Sequence, residues 1–334
     1  MSPAFSTEKR SRTMRKYLLP ESGKFYKVNM HSHTTLSDGR TTPEEVKEAY
    51  KANGYAAVAY TEHNRLCDLT HLNDEDFIAI TSYELDISDK ESVPFTLYEG
   101  KPKTFSHMET VHLNLYSRDP HRAETVDVSD IRSNYSVETV NEAIKRARNA
   151  GFLVCYNHPH WSLNTFNLYT NLKGVDALEI VNGASQRSSD MDYAPHVYDE
   201  MARYGVRANV VSGDDNHGPW AYFKAWTMVK AEELSHNALL DAIERGDCYS
   251  SQGPEIYELY VEDGKVHVSC SDAVGIFYST AGRAKACKLD ETYENPVNDA
   301  EFTINPDDIF FRITVKDARG NRANTRIFYI DEVL

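Results

Sequence analysis

Long apolar runs are missing from this chain, and no stretch approaches the length of a membrane span. Cationic excess is missing too. The net charge of −15 argues against a nonspecific nucleic-acid binder, which needs basic surface. A nuclease whose metals neutralise local charge stays open. Paired cysteines are absent: Cys67, Cys155, Cys248, Cys270 and Cys287 are odd in number, form no CxxC and lie away from the histidine motifs. They read as free thiols of a reducing compartment, with Cys155 in the core. No glycine-rich phosphate loop of the GxGxxG or Walker type occurs, and no Ser-His-Asp arrangement stands out. Lys9, Arg10, Arg12, Arg15 and Lys16 are followed by no apolar h-region, so no signal peptide is expected and a cytoplasmic location is the default. That basic cluster reads as part of a loose tail over residues 1–24.

What is present is an ordinary globular composition, 41% hydrophobic and 26% charged over 334 residues. That length suits one large α/β domain with an appendage, or two medium domains. Thirteen histidines are many, and their positions matter more than their number. Met30–Asp38 reads MHSHTTLSD. Along an extended strand His31 and His33 face the same way, and Asp38 follows from the next loop. Taken alone, such a pair is more often two surface histidines near a turn than half of a metal site.

The rest of the chain reverses that preference. Residues 24–30 alternate as a strand ending in this motif. Thr42, Pro43 and Glu45 form a capping box that opens a helix ending at Gly54. Residues 55–60 (YAAVAY) suit a buried parallel strand that ends in Thr61-Glu62-His63-Asn64. Strands are expected at 77–82, ending in Tyr83-Glu84, and at 110–116, containing His112. A helix over 137–149 leads to a strand at 152–156 and then Asn157-His158-Pro159. A strand at 175–181 ends in Asn182-Gly183. A helix near 190–204 precedes a strand at 206–212, which ends in Gly213-Asp214-Asp215-Asn216-His217. Seven strands, most followed by helices, imply a parallel sheet with ligand-type residues at the strand ends. An open sheet would scatter those ends along a line, whereas a closed (β/α) barrel gathers them on one face. A distorted seven-stranded barrel is therefore expected over residues 25–252, with a last helix at 234–245.

From residue 253 the texture changes to hairpins, one turning at Asp263-Gly264 and another around 318–321. Residues 253–334 read as a small β-sandwich-like appendage without a catalytic constellation. The long connections 86–109 and 117–135 read as lids or as plain surface insertions.

His31, His33, Asp38, His63, Glu84, His112, His158, Asp215 and His217 lie at or just past predicted strand ends, except His112, which comes early in its strand. Imidazole and carboxylate without thiolate suit Zn, Mn or Fe. Nine ligands exceed the needs of one ion and fit two or three, with Glu84 as the natural bridge. Such a site clamps attacking and leaving oxygens and activates water.

In order along the chain, these residues resemble the PHP family, named for polymerase and histidinol phosphatase domains. The motifs are His31/His33, Asp38, Thr61-Glu62-His63-Asn64, Glu84, His112 in VHLNLY, His158-Pro159 and Asp215-Asn216-His217, spanning residues 26–220. Residues 241–256 (DAIERGDCYSSQGPEI) and the β-rich end are similar to the CehA/McbA-type hydrolases. The resemblance implies a distorted (β/α)7 barrel with a trinuclear or binuclear site. It implies one ion on His31, His33, Glu84 and Asp215, a second on Asp38, His63 and His217, and a third on Glu84, His112 and His158. Glu62 stands where many members have Asp and is expected to orient a ligand. Asp214 stands where many have a small residue, so assigning Asp215 relies on the D-x-H spacing. His107 is a rival of His112. His71, His121, His160, His196, His236 and His267 are read as surface or core residues. His160 and Trp161 are placed to line the pocket, and Arg187 reads as a solvated loop arginine.

The expectation is a metal-dependent hydrolase of a small-molecule phosphate ester, with Glu84, Asp215 and His217 as catalytic groups. The tail keeps amide, ester and carbamate hydrolysis open. A nuclease and a non-catalytic metal-binding regulator are the further alternatives.

Overall fold

The structure is a computed structural model of the chain. It describes residues 15–334 apart from 90–92, 97–103, 108–109, 284, 291 and 293. In chain order, β1 (Lys24–Asn29) leads to α1 (Pro43–Ala52), β2 (Ala57–His63), β3 (Ile78–Ser88) and β4 (Thr110–Ser117). Then come α2 (Val137–Asn149), β5 (Phe152–Tyr156), β6 (Ala177–Asn182), α3 (Gly183–Ser188), α4 (Pro195–Arg203) and β7 (Asn209–Gly213). Local chemistry sets these boundaries. Thr42 and Glu45 close the capping box of α1 reciprocally, and Val46 and Tyr50 are its buried stripe. Ser136 caps α2, whose Val140, Ala143, Ile144 and Ala147 recur at helical spacing and are all buried.

The chain is a mixed α/β fold, but not the regular alternation expected. The pairs β1–β2, β2–β3, β5–β6 and β6–β7 are parallel. β4 is antiparallel to both β3 and β5. A hairpin of Val93–Thr96 and Thr104–His107 reverses the chain between β3 and β4, where a parallel crossover would need a helix. The side chain of His107 lies outside the described residues. Residues 117–135 are not a bare insertion, because Val126 and Val128 are buried in the main core.

The ladder of paired strands also does not close. Its order is β7-β6-β5-β4-β3-β2-β1, and it continues into β8 (Trp226–Ala231) and β9 (Cys248–Ser251). The reason is visible at β1, whose second edge is taken by β8 in antiparallel register. Beyond the two strands, the chain after β1 meets the chain after β7 through the isolated Ser32–Asn216 bridge. There the His33 N–H donates to the Asn216 carbonyl at 3.0 Å and the Asp215 N–H to that of His31 at 2.8 Å. Gly213 permits this approach, since a Cβ there would lie 2.5 Å from the His31 nitrogen.

After α5 (His236–Arg245), capped by Ser235, come β10 (Ile256–Glu262), β11 (Lys265–Ala273), β12 (Gly275–Thr280), β13 (Lys285–Leu289), β14 (Val297–Thr303), β15 (Phe310–Lys316), β16 (Arg322–Thr325) and a short strand, Phe328–Tyr329, beside β15. The two expected hairpins are the pairs β10–β11 and β15–β16. Residues 253–334 both extend the large sheet and add a second layer over it. β9 pairs with β16, so β15, β12 and β13 extend the large sheet. Over it lies a four-stranded sheet of Lys16–Tyr17, β10, β11 and β14. Between the layers sit Ile256, Leu259, Val268, Phe302, Phe311, Ile313 and Phe328. Leu18 and Leu19 are buried in the same core. The tail expected over 1–24 therefore gives way to ordered chain in its described part: two leucines and a strand pair hold residues 15–24 against the C-terminal sheet.

Candidate metal centre

Strand register brings the candidate residues together. His63 and Glu84 are direct partners across β2 and β3. Across β3 and β4, Glu84 faces Asn114, which puts His112 on the same face two residues away. Because β4 runs backwards, the early position of His112 falls at the same end of the sheet as the late positions of its neighbours. His31 and His33 follow β1, His158 follows β5, and Asp215 and His217 follow β7. Three residues at these strand ends, Asn64, His158 and Asp215, adopt positive φ without being glycine. Such outliers persist where surrounding structure holds them, and they cluster at functional sites.

Glu84 is the centre. Its Oε1 lies 3.3 Å from His31 Nε2, 3.0 Å from His112 Nδ1 and 3.2 Å from His158 Nε2. Its Oε2 lies 3.3 Å from His33 Nε2 and 3.1 Å from His63 Nδ1. Asp215 Oδ1 approaches His31 Nε2 at 3.3 Å and His33 Nε2 at 3.1 Å. At the mouth, Asp38 Oδ2 is 3.6 Å from His63 Nε2 and 3.3 Å from His217 Nε2. Glu84, His31 and His33 are fully buried, whereas the Asp38 side chain is 54% exposed.

All nine candidates fall into four overlapping groups with converging donor atoms. These are His33/Asp38/His63/His217, His31/His158/Asp215, His31/His33/Glu84 and His63/Glu84/His112. The grouping differs in detail from the sets carried over by motif. His33 joins the Asp38 group, and His158 converges with His31 and Asp215.

The donor set fits divalent cations. His31 Nε2 and His33 Nε2 are 3.2 Å apart, and Asp215 Oδ1 is buried without a hydrogen bond. The outer nitrogens are already committed. His31 Nδ1 is 3.0 Å from Glu179 Oε1, His158 Nδ1 is 3.1 Å from the Ser162 hydroxyl, and His217 Nδ1 is 3.0 Å from the Asp215 carbonyl. In each ring this leaves the Nε2 lone pair facing the cluster, as in metal-ligating histidines held by an outer carboxylate or carbonyl.

Electrostatics agree. Burial opposes ionisation of Glu84, but His112 and His31 outweigh it and hold the carboxyl well below its usual range. Burial also opposes charge on His33, yet Asp215 and Glu84 raise it to about 9. Asp38 is brought down to about 2, chiefly by its hydrogen bond with His217.

Glu179 escaped the sequence reading. It lies in the apolar run VDALEIV on β6, is 2% exposed, and also accepts from the His158 N–H at 3.2 Å and the Asn182 amide at 3.0 Å. A buried glutamate near the end of a parallel strand was the available signal. Glu62 does its orienting work on a loop: it accepts from the Thr34 N–H and hydroxyl and from Ser37, and so anchors the turn that carries Asp38. Asp214 turns away from the cluster. It takes the Tyr50 hydroxyl at 2.6 Å and the N–H groups of Phe223, Lys224 and Ala225. Trp161, 46% exposed, lies 5.1 Å from the His158 ring and 5.7 Å from the His112 ring. Arg187 is exposed on α3. His236 is buried in the core, its Nε2 on the Ser117 carbonyl at 2.7 Å. All five cysteines are free, and no helix among the described residues is long and apolar enough to cross a membrane.

No protein-family model and no curated protein matches the chain. Among solved structures it is similar to a two-domain protein of Bacteroides vulgatus containing a predicted PHP-like metal-dependent phosphoesterase, with 15% identity over 94% of this chain and 90% of that one and a TM-score of 0.45. A candidate metal-dependent phosphoesterase of Bifidobacterium adolescentis matches over 67% of this chain and 96% of its own, with 15% identity and a TM-score of 0.33. An amidohydrolase of Chromobacterium violaceum, with bound sulfate and no metal, matches over 57% and 88%, with 15% identity and a TM-score of 0.34. All three likenesses are remote, so the chemistry of this chain is read from its own side chains.

Proposed function

We propose that this chain is a metal-dependent hydrolase acting on small-molecule phosphate esters. The nine candidate residues serve as ligands to two or three Zn, Mn or Fe ions, at one end of the open, PHP-like strand array of residues 25–252, with residues 253–334 as its support. The observation that carries this reading is the pair of buried imidazole nitrogens, His31 Nε2 and His33 Nε2, only 3.2 Å apart and facing Glu84 and Asp215. With His31 Nδ1 committed to Glu179, that converging set of lone pairs calls for positive charge between them. Divalent ions bound there supply Lewis-acid polarisation of a phosphoryl oxygen and lower the pKa of bound water.

The chain's own groups have distinct tasks in this scheme. Glu84 stands between the converging groups and is the one carboxylate that four of the five buried or half-buried histidines around it share with His33. Asp215 and His217 are the proposed proton-handling pair. Asp215 Oδ1 has no hydrogen-bond donor of its own, and the His217 ring, fixed through Nδ1, presents Nε2 toward half-open Asp38. The overlapping ligand groups would hold ions side by side, an arrangement that would suit the paired oxygens of phosphoryl transfer.

The test is purified protein reconstituted with Mn or Zn and assayed on phosphomonoesters, phosphodiesters, amides and carbamates. We expect phosphoester turnover that depends on metal and collapses in His31→Ala and Glu84→Ala. Unchanged turnover in those variants would sink the reading, and activity confined to amides or carbamates would redirect it to carbon.

A further inference from the structure

We infer that a cleft between the loop after α3 and the outer face of the C-terminal sheet binds a small organic anion with a planar apolar body, such as an aryl phosphate or aryl carboxylate. This site is separate from the histidine cluster and does not depend on the hydrolase reading.

The register builds the floor. Phe277 pairs with Cys287 on one side and Thr314 on the other, and Lys316 pairs with Arg322. Alternation puts Phe277, Cys287, Arg312, Lys316 and Arg322 on one face. The intervening Ile276, Ile313, Val315 and Ala323 point into the core between the sheets. Tyr193, from the loop after α3, forms the facing wall, its hydroxyl 2.8 Å from Asn324 Oδ1. The half-open cleft holds about 500 Å³, within the range of small-molecule sites.

Charge is what needs explaining. Lys316 and Arg322 are direct cross-strand partners, and like charges so placed repel. Both are half-buried, and among the described residues neither forms an ion pair with a carboxylate. The neighbouring Arg312 shows the contrast, held by Asp199 at 2.7 and 2.9 Å. Asp192 acts on Arg322 only through space, so two cations without a salt-bridge partner share one concavity in a chain of net charge −15. The Arg322 guanidinium lies over the Tyr193 ring at 4.8 Å, and Phe277 completes an apolar side. An anionic group between Lys316 and Arg322 relieves their repulsion, while an aryl body fills the space beside Tyr193 and Phe277.

Cys287 offers a readout on the same face. It is exposed, Cys67 is half-buried, and the other three thiols are buried. The experiment uses the metal-free full-length chain with phenyl phosphate, benzoate and inorganic phosphate as probes. Alkylation of Cys287 by iodoacetamide is followed by mass spectrometry, with calorimetry alongside. Millimolar phenyl phosphate or benzoate is expected to slow Cys287 alkylation several-fold and leave Cys67 unchanged. Whichever of the two protects better identifies the anion. A Lys316→Gln/Arg322→Gln variant, checked for folding by circular dichroism, should lose both protection and binding heat. Failure of both aryl probes to protect or to give heat would overturn the inference. So would protection that persists in the double variant, or inorganic phosphate acting as well as phenyl phosphate.

Discussion

Glu179 and His31 meet at 3.0 Å, Oε1 to Nδ1, both buried and 148 residues apart in sequence. The contact fixes the His31 ring so that Nε2 faces the cluster. Loss of such an outer carboxylate typically costs about 10–100-fold in metal affinity. Glu179→Ala should therefore weaken Mn or Zn binding by about that factor while the protein stays folded. Glu179→Gln, which keeps an acceptor, should recover part of it. Competition titration with a chromophoric chelator measures both, and unchanged affinity in Glu179→Ala would remove Glu179 from the site.

Much of this arrangement was legible in the sequence, and the exceptions share a physical cause. The capping box of α1, the bounds of α2 and the strand ends that carry the candidate residues are encoded by neighbours a few residues apart. Strand direction is not. His112 looked misplaced because parallel strands were assumed, and only the hairpin between β3 and β4 turns an early position into one at the site. The expected closure failed for a similar reason, since β8 takes the edge of β1 from about 200 residues away. Glu179 hid inside an apolar run, where its role depends on a partner strand. Leu18 and Leu19 read as tail because the sheet that buries them comes from the far end of the chain.

Gly213 should tolerate no side chain. A Cβ there meets the backbone nitrogen and the Cβ of His31 at 2.5 and 2.6 Å, and neither can swing aside as a flexible tip would. Gly213→Ala is expected to cost about 1–3 kcal/mol, as overpacking of a tight interior does. Because the strain falls on His31, metal affinity should fall as well. Urea unfolding and metal titration on the same sample separate the two effects, and wild-type values in both would show that the two segments can part freely.

Tyr50 tests the support under Asp214. Burial pushes the Asp214 carboxyl up to about 6, against the hydrogen bonds from Tyr50 and the backbone that favour its ionised form. The Tyr50 hydroxyl also lies 2.8 Å from Asn216 Oδ1, inside the Asp215–His217 turn. Tyr50→Phe removes a donor to a buried carboxylate and should destabilise the protein by about 1.5–3 kcal/mol at neutral pH. Below pH 6, where Asp214 takes up a proton, the difference from wild type should narrow. Chemical denaturation at pH 5 and pH 7.5 measures both, and a pH-independent difference would mean that Asp214 does not titrate there.

Proton and metal should compete for the histidines. In the metal-free protein His33 is raised from about 6.5 to about 9, burial opposing its charge and Asp215 and Glu84 overcoming it. A raised folded-state pKa contributes stability that is complete below the unfolded value and is lost as pH climbs through the folded one. Between pH 6.5 and 9 the metal-free protein should therefore become less stable. His63, which burial lowers, acts with the opposite sign and below that window. A divalent ion displaces the protons, so binding should release them and tighten as pH rises over the same interval. Saturating Mn or Zn should correspondingly flatten or reverse the fall in stability. Denaturation midpoints at pH 6.5 and 9, with and without metal, combined with calorimetry in buffers of different ionisation enthalpy, measure the linkage directly. Metal binding that releases no protons at pH 7 would show that the cluster is already deprotonated when empty.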